Sequence, residues 1–294
     1  MNSDCGHEKL NQVLRYHQQT KHRYHRFADG PGTLDWINQP DPFRRYQSSE
    51  LISLPLVTEI KSPSYENIFH PAGVVVCEFN LPSISCLLRN SMALSAWKQA
   101  GDSRWALRVN PSSGNLHPTE FYLLCTATDG LSSTPMVSHY APREHGLEKR
   151  CVLSEQLWQA LTLDFEDPVL LVGLSSIYWR EAWKYGARAY RYCQLDVGHA
   201  LATISLAAAS LGWHCQMLIN LSHQQLRRLF GLPDNQDAEV EQPECLIAIT
   251  PIKTSQPILS LPDHAIQQIT LAHWQGEANT LSQEIGRASC RERV

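Results

Sequence analysis

Asn110-Pro111-Ser112-Ser113-Gly114-Asn115-Leu116-His117-Pro118 stands directly before an apolar run, Glu120 to Thr126. Its residue types favour a tight polar turn. Pro111 stiffens the entry, and Ser112 and Ser113 offer hydroxyl and amide donors. Gly114-Asn115 permits positive φ and lets another molecule come close to the backbone. If a helical turn begins here, its free N–H groups add partial positive charge and favour an anion. Arg104 and Arg108 precede the run and could reach a phosphate. On its chemistry alone the segment is only a polar turn before a strand.

The surrounding chain narrows the choices. Its 294 residues can bury a core without staples, and 43% apolar with 18% charged residues is ordinary for a globular protein. A net charge of −4 leaves no positive excess to drive binding to a phosphate backbone, so nucleic acid is not an expected partner. The nine cysteines are scattered singly with no C-x-x-C pair. That pattern reads as buried thiols in a reducing, cytoplasmic compartment, with no disulfide frame and no zinc site. The longest apolar stretch, Leu201 to Leu211, is too short to span a bilayer, so no membrane association is expected.

Outward from the turn, alternation and helical spacing predict an ordered set of elements. A helix is expected from Leu10 to Lys21, followed over residues 28–82 by an irregular arm pinned by Trp36, Phe43, Tyr46, Tyr65 and Phe69. Ile84, Leu87, Leu88, Met92 and Leu94 recur at helical period and predict a helix from Ile84 to Lys98. Strands are expected at Glu120–Thr126, Met136–Ala141, Cys151–Leu153, Pro168–Ser175 and Leu246–Ile252. Helices are expected after the N-cap Ser154, from Tyr190 to Leu211 with Gly212 at C′, and from His223 to Phe230. The division that follows is an arm over 1–82, a domain over 83–253 and a linker over 254–283. Residues 284–294 resemble the translation of a common sequencing adapter. They are expected to be non-native, with the native chain running on past about residue 283; a basic tail is the alternative.

Several chemistries lack their motifs. The sequence has no G-x-G-x-x-G after a strand, no Walker loop, no H-E-x-x-H and no G-x-S-x-G. His22 and His25 lack a neighbouring cysteine or carboxylate at ligand spacing, so no metal site is expected.

With its flanks, Arg108 to Glu120 resembles the flavin loop of the nitroreductase superfamily, in the version found in its SagB-type dehydrogenase branch. That branch includes enzymes that oxidise azolines in peptide natural products. Trp183-Lys184-Tyr185-Gly186-Ala187-Arg188-Ala189-Tyr190-Arg191-Tyr192 is similar to the branch's W-K-Y-G-x-R-x-Y-R-Y segment, and Leu226 to Pro233 gives a third ordered match. Tyr16 to His22 and Leu34 to Arg45 look like the N-terminal arm of longer members.

The resemblance implies an α+β fold with a mixed, mainly antiparallel sheet flanked by helices on both faces. It implies FMN as cofactor and two-electron hydride transfer through flavin N5. Pro111, Ser112, Ser113 and Asn115 are then the flavin contacts, with Arg108 on the phosphate or a pyrimidine oxygen. Lys184 and Tyr185 move protons: a lysine of lowered pKa, or a tyrosine ionised beside a cation, can serve. The alternative for that pair is an ion-paired lysine and a core tyrosine. Asp196 and His199 share a helix face and either orient a substrate or make an interior hydrogen bond.

Two departures stand out. The basic R-R-S-x-R phosphate grip is replaced by Lys21, Arg23 and Arg26 without the serine, and the usual Gln-Asn pair by Ala202-Thr203. The superfamily builds its site between two copies, so the resemblance implies a homodimer or the first half of a longer two-copy chain. Substrate expectations are a small molecule or a peptide. A non-catalytic half and a peptide-binding module are the other readings.

Overall fold

The computed structural model describes residues 3–56, 63–70, 73–234, 239–251 and 257–282. The adapter-like tail at 284–294 lies outside the described residues.

Seven strands form the central sheet in the order β2 (Leu51–Ser53), β7 (Gly146–Val152), β6 (Met136–Ala141), β5 (Thr119–Cys125), β8 (Leu170–Ile177), β10 (Glu241–Thr250) and β9 (His214–Met217). Every pairing among them is antiparallel. The fold is thus α+β with a mainly antiparallel sheet, as the resemblance implied. β5 and β8 are buried along their whole length, which is why each reads as an unbroken run.

Alternate residues of these strands serve two cores. Phe121, Leu123 and Cys125 face one with Leu170, Val172 and Leu174, against α2 (Leu81–Ser91) and α5 (Ala189–Ser210). Tyr122, Leu124 and Leu171 face the other, covered by α3 (Glu155–Leu161), α6 (His223–Phe230) and α7 (Asp263–Ile269). Phe230 of α6 stacks on Tyr122 with ring centroids 5.2 Å apart. Only a glycine at 173 leaves room for that ring, because a Cβ there would lie 2.2 Å from it.

Local chemistry sets the helix ends. Asn80 caps α2 by accepting from the Ser83 amide, and Ser154 caps α3 by accepting from Leu157. Ser222 and Gln225 make a reciprocal capping box on α6. Gly212 takes up φ +75° just beyond α5, at the expected C′ position.

The structure corrects four expectations. The helix expected from Ile84 to Lys98 ends at Ser91; Leu94–Ala100 is β3, paired antiparallel with β4 (Ser103–Arg108) in an outlying hairpin. Most of β3 is exposed, so it gives no buried alternation to mark it as a strand. The second strand of the hairpin expected near Cys151 begins earlier, at Gly146. The arm is pinned by Phe43 and Tyr46, whereas Trp36, Tyr65 and Phe69 are exposed. Finally, the stretch beyond 253 is not a bare linker where it is described. α7 buries Ala265, Ile266 and Ile269 in the second core, and β11 (Glu277–Ala278) pairs with β1 (Tyr46–Gln47) of the arm.

Candidate active site

The turn at 110–118 joins the outlying hairpin to β5. A single 3-10 turn, Ser113–Asn115, forms its crest, and Gly114, Asn115 and His117 all have positive φ (64°, 58° and 51°). The Ser112 hydroxyl oxygen closes the turn by accepting from the His117 amide at 2.8 Å. Asp196 of α5 anchors it from below. Its carboxylate accepts from the Ser113 amide at 3.1 and 3.0 Å and from the Ser113 hydroxyl at 3.1 Å. His199, one turn on, lies at the edge, with Nδ1 3.2 Å from the Pro111 carbonyl and 3.7 Å from Asp196. Asp196 thus holds up the turn by an interior hydrogen bond, one of the two roles open to it.

α4 (Tyr178–Tyr185) brings the second motif to the same place. A Cβ added to Gly114 would lie 2.6 Å from Tyr185 Oη and 2.9 Å from Lys184 Nζ. Two stretches some seventy residues apart therefore converge on one backbone atom. Lys184 and Tyr185 are half-buried, and Gly114 and Pro111 are exposed. Among the described residues the Lys184 ammonium, the Tyr185 hydroxyl and the Asn115 side chain have no hydrogen-bonded partner, so all three are free to meet a ligand at the crest. Lys184 Nζ does lie 5.6 Å from the Tyr185 ring centroid, and that ring packs on Tyr192 at 4.5 Å.

Arg180 locks the two motifs together. It is fully buried, donates to the His117 carbonyl at 2.7 Å and to the Asp41 carbonyl at 3.0 Å, and pairs with Glu120 at the start of β5. Glu120 continues to His139 Nε2 at 3.0 Å, and His139 Nδ1 to Glu148 at 2.9 Å. Burial would raise the Glu120 carboxyl, but Arg180, His139 and Arg108 outweigh it and bring the carboxyl down to about 2. Burial alone would lower His139, but its two carboxylate partners hold it above the usual imidazole range. The arm closes over α4 where Trp183 Nε1 donates to the Asp35 carbonyl at 2.7 Å.

Two sequence expectations change. Arg108 is not at a phosphate: it is buried, with its guanidinium donating to the Pro42 carbonyl at 2.6 Å and the Thr119 carbonyl at 3.2 Å. Burial, opposed by Glu120, lowers its pKa to about 10. For Tyr185 the surroundings favour the protonated form over an ionised base. Burial first, then Glu181 and Tyr192, push its hydroxyl up, so it stays protonated and can donate. Sequence reasoning passed over Arg180, Glu120 and Glu181. Arg180 and Glu181 lie next to the quoted motif, but nothing in its spacing shows that their side chains turn inward.

A cavity of about 810 Å³ lies elsewhere, on the face that carries α6 and α7, where Arg44, Arg150, Arg228 and Trp274 line it. It shares no lining residue with the turn or α4. The two quoted motifs meet at Gly114 with two unpartnered polar groups, Tyr185 Oη and Lys184 Nζ, and the cavity touches neither motif.

The sequence profile of the nitroreductase family matches residues 98–249, more than half of the chain, and the chain belongs to that family. The matched span holds the turn, α4, α5 and the core of the sheet, an oxidoreductase fold. A protein described as a nitroreductase from Methanocaldococcus jannaschii is 29% identical over 109 residues, covering 35% of this chain and 52% of its own length. The crystal structure of a nitroreductase from Anabaena variabilis superposes with a TM-score of 0.64 at 26% identity, covering 83% of this chain and 48% of that one. One from Ralstonia eutropha gives 0.51 at 15% identity, covering 77% and 99%, a likeness of fold. The chain spans about half the length of the first two. No helix among the described residues is long and apolar enough to cross a membrane.

Proposed function

We infer that the chain is an FMN-dependent oxidoreductase of the SagB type whose flavin edge rests on the turn at Gly114. The observation that carries this reading is the convergence of Gly114, Tyr185 Oη and Lys184 Nζ. Glycine at 114 lets Tyr185 Oη and Lys184 Nζ, two groups with no hydrogen-bond partner among the described residues, rest against the crest, where they can present donors to the polar edge of a flat heteroaromatic ring. Bound FMN supplies the two-electron chemistry, and the protein supplies binding and electrostatics.

The residues divide the work. Gly114 and Asn115 admit the ring edge. Pro111 and Ser112 shape the crest, and Ser113 ties it to Asp196. Tyr185 donates a hydrogen bond, and Lys184 holds or moves the proton that leaves the substrate beside the transferred hydride. Arg180 keeps α4 in register with the turn. Substrates of this reading are a small nitroaromatic or quinone, or an azoline-bearing peptide.

Lys184→Ala should abolish substrate oxidation while leaving FMN bound, read by the flavin absorbance of the purified variant. Unchanged turnover would remove the proton-handling role.

One observation favours a second reading. With Arg108 inside, no described residue near the turn forms a phosphate grip, and Arg23 and Arg26 are exposed on the loop after α1 (Ser3–Thr20). A second nitroreductase copy, in a homodimer or in the rest of a longer chain, would then complete the site. α5 leaves Leu195 and Leu206 exposed on one side, an apolar strip suited to such a copy. A chain that purifies colourless and stays apo with added FMN supports this reading over independent catalysis.

A further inference from the structure

Under the turn lie two acids whose roles differ. Glu181 sits on α4 one helical turn before Lys184, is 0% exposed, and neither carboxyl oxygen has a hydrogen-bond partner among the described residues. Asp196 on α5 is also buried, yet its carboxylate takes both donors of Ser113. Of the surrounding charges, that of Asp196 acts most strongly on Glu181.

The groups facing Glu181 do not neutralise it. On its own helix these are Arg180, Lys184 and Tyr185; from α5 they are Asp196 and Cys193. Arg180 spends Nε and Nη1 on Glu120 and two carbonyls, and its Nη2 makes no hydrogen bond to Glu181. The Cys193 thiol and the Tyr185 hydroxyl are both pushed up by burial and stay neutral. Lys184 makes no ion pair with Glu181; its Nζ reaches the crest at Gly114. A buried carboxylate without hydrogen bonds is costly, and two neighbouring carboxyls do not both ionise readily. The negative charge goes where the donors are.

The geometry points to Glu181 and Asp196 sharing a single negative charge, carried by Asp196 against Ser113, with Glu181 a neutral acid that positions Lys184 at Gly114. The inference rests on the reading of Lys184 as the proton-handling residue. Burial and then Asp196 push the Glu181 carboxyl up to about 9, with Lys184 and Arg180 opposing. Below that pH a neutral Glu181 leaves the lysine head free to extend to the turn. Above it, the carboxylate draws the ammonium back one helical turn into an ion pair. No covalent step occurs at Glu181; it only keeps or releases one proton.

Glu181→Gln, which mimics the neutral acid, tests this in the full chain without FMN. The folded pKa lies above the ordinary value of 4.5, so the contribution of Glu181 to stability is fully present below about 4.5 and is lost as pH rises toward about 9. Glutamine does not titrate. The urea midpoint of Glu181→Gln should therefore exceed that of the wild type increasingly from pH 5 to pH 9, and this rise should shrink in an Asp196→Asn background. A difference that does not change with pH would overturn the proposal. Carboxyl ¹³C NMR of the wild type reads the same proton if the variant fails to fold. A buried glutamate titrating far above 4.5 is expected, and none above about 5 would sink it. In FMN-loaded protein, turnover of menadione should fall above pH about 9 in the wild type, and that alkaline limb should vanish in Glu181→Gln. If FMN does not bind, the functional reading fails, while the stability and NMR titrations still decide the state of Glu181.

Discussion

Gly114 carries two constraints at one residue: a left-handed φ of 64° and contact with Tyr185 and Lys184. A methyl group there meets both, so Gly114→Ala should cost about 1 kcal/mol of stability from the backbone alone. Its effect on ligand binding should be larger, because the methyl displaces the Tyr185 hydroxyl and the Lys184 ammonium that would meet the ring edge. Thermal unfolding beside FMN titration separates the two; a variant that loses stability and keeps full affinity would place the flavin elsewhere. The turn was legible because proline, serine and glycine each have a narrow set of backbone uses. Arg108 was not. In β4 the buried face carries Ala106 and Arg108, while Trp105 and Leu107 are only half-buried. Hydrophobic parity there points the wrong way, and only the Pro42 and Thr119 carbonyls explain why a guanidinium can lie inside.

α4 holds its place through charge. Arg180→Met would leave Glu120 with His139 as its remaining partner in the interior and release the His117 carbonyl. Breaking a buried pair in this way costs roughly 3–5 kcal/mol, and urea unfolding at neutral pH should show it. The same pair sets an acid limit. The Glu120 carboxyl is held near 2 against an ordinary value of 4.5, so its contribution is present above about 4.5 and is lost as pH falls toward about 2. Glu120→Gln should remove that part of the acid sensitivity, and an unchanged acid-unfolding curve would contradict it. On the other face, Gly173→Ala forces a Cβ into the Phe230 ring and should cost about 1–3 kcal/mol by overpacking; thermal unfolding measures it. Strands such as β5 and β8 were readable because they are buried on both faces. The helix expected to run to Lys98 was over-extended because Met92 and Leu94 keep helical spacing past the true end. α7 was missed because three buried residues in seven leave too short a period to see.

The described residues form one seven-stranded sheet between two cores, with the β3–β4 hairpin outlying and the arm tied to the C-terminal stretch by the β1–β11 pair. The described residues supply the turn, the free donors and the locking arginine, but no evident grip for a phosphate. The chain covers 48% of the Anabaena variabilis structure and 52% of the Methanocaldococcus jannaschii relative. Under the proposed sharing of the site with a second copy, that copy would supply the grip, and Leu195 and Leu206 of α5 would face it. The central claim, that flavin is held at Gly114 between the turn and α4, has a direct test in flavin-fluorescence titration of the chain with FMN, beside its Gly114→Val variant. Flavin held there gives saturable quenching by the wild-type chain and affinity at least ~10-fold weaker in the variant, a difference of about 1.4 kcal/mol or more. Equal affinity in the two proteins would contradict it.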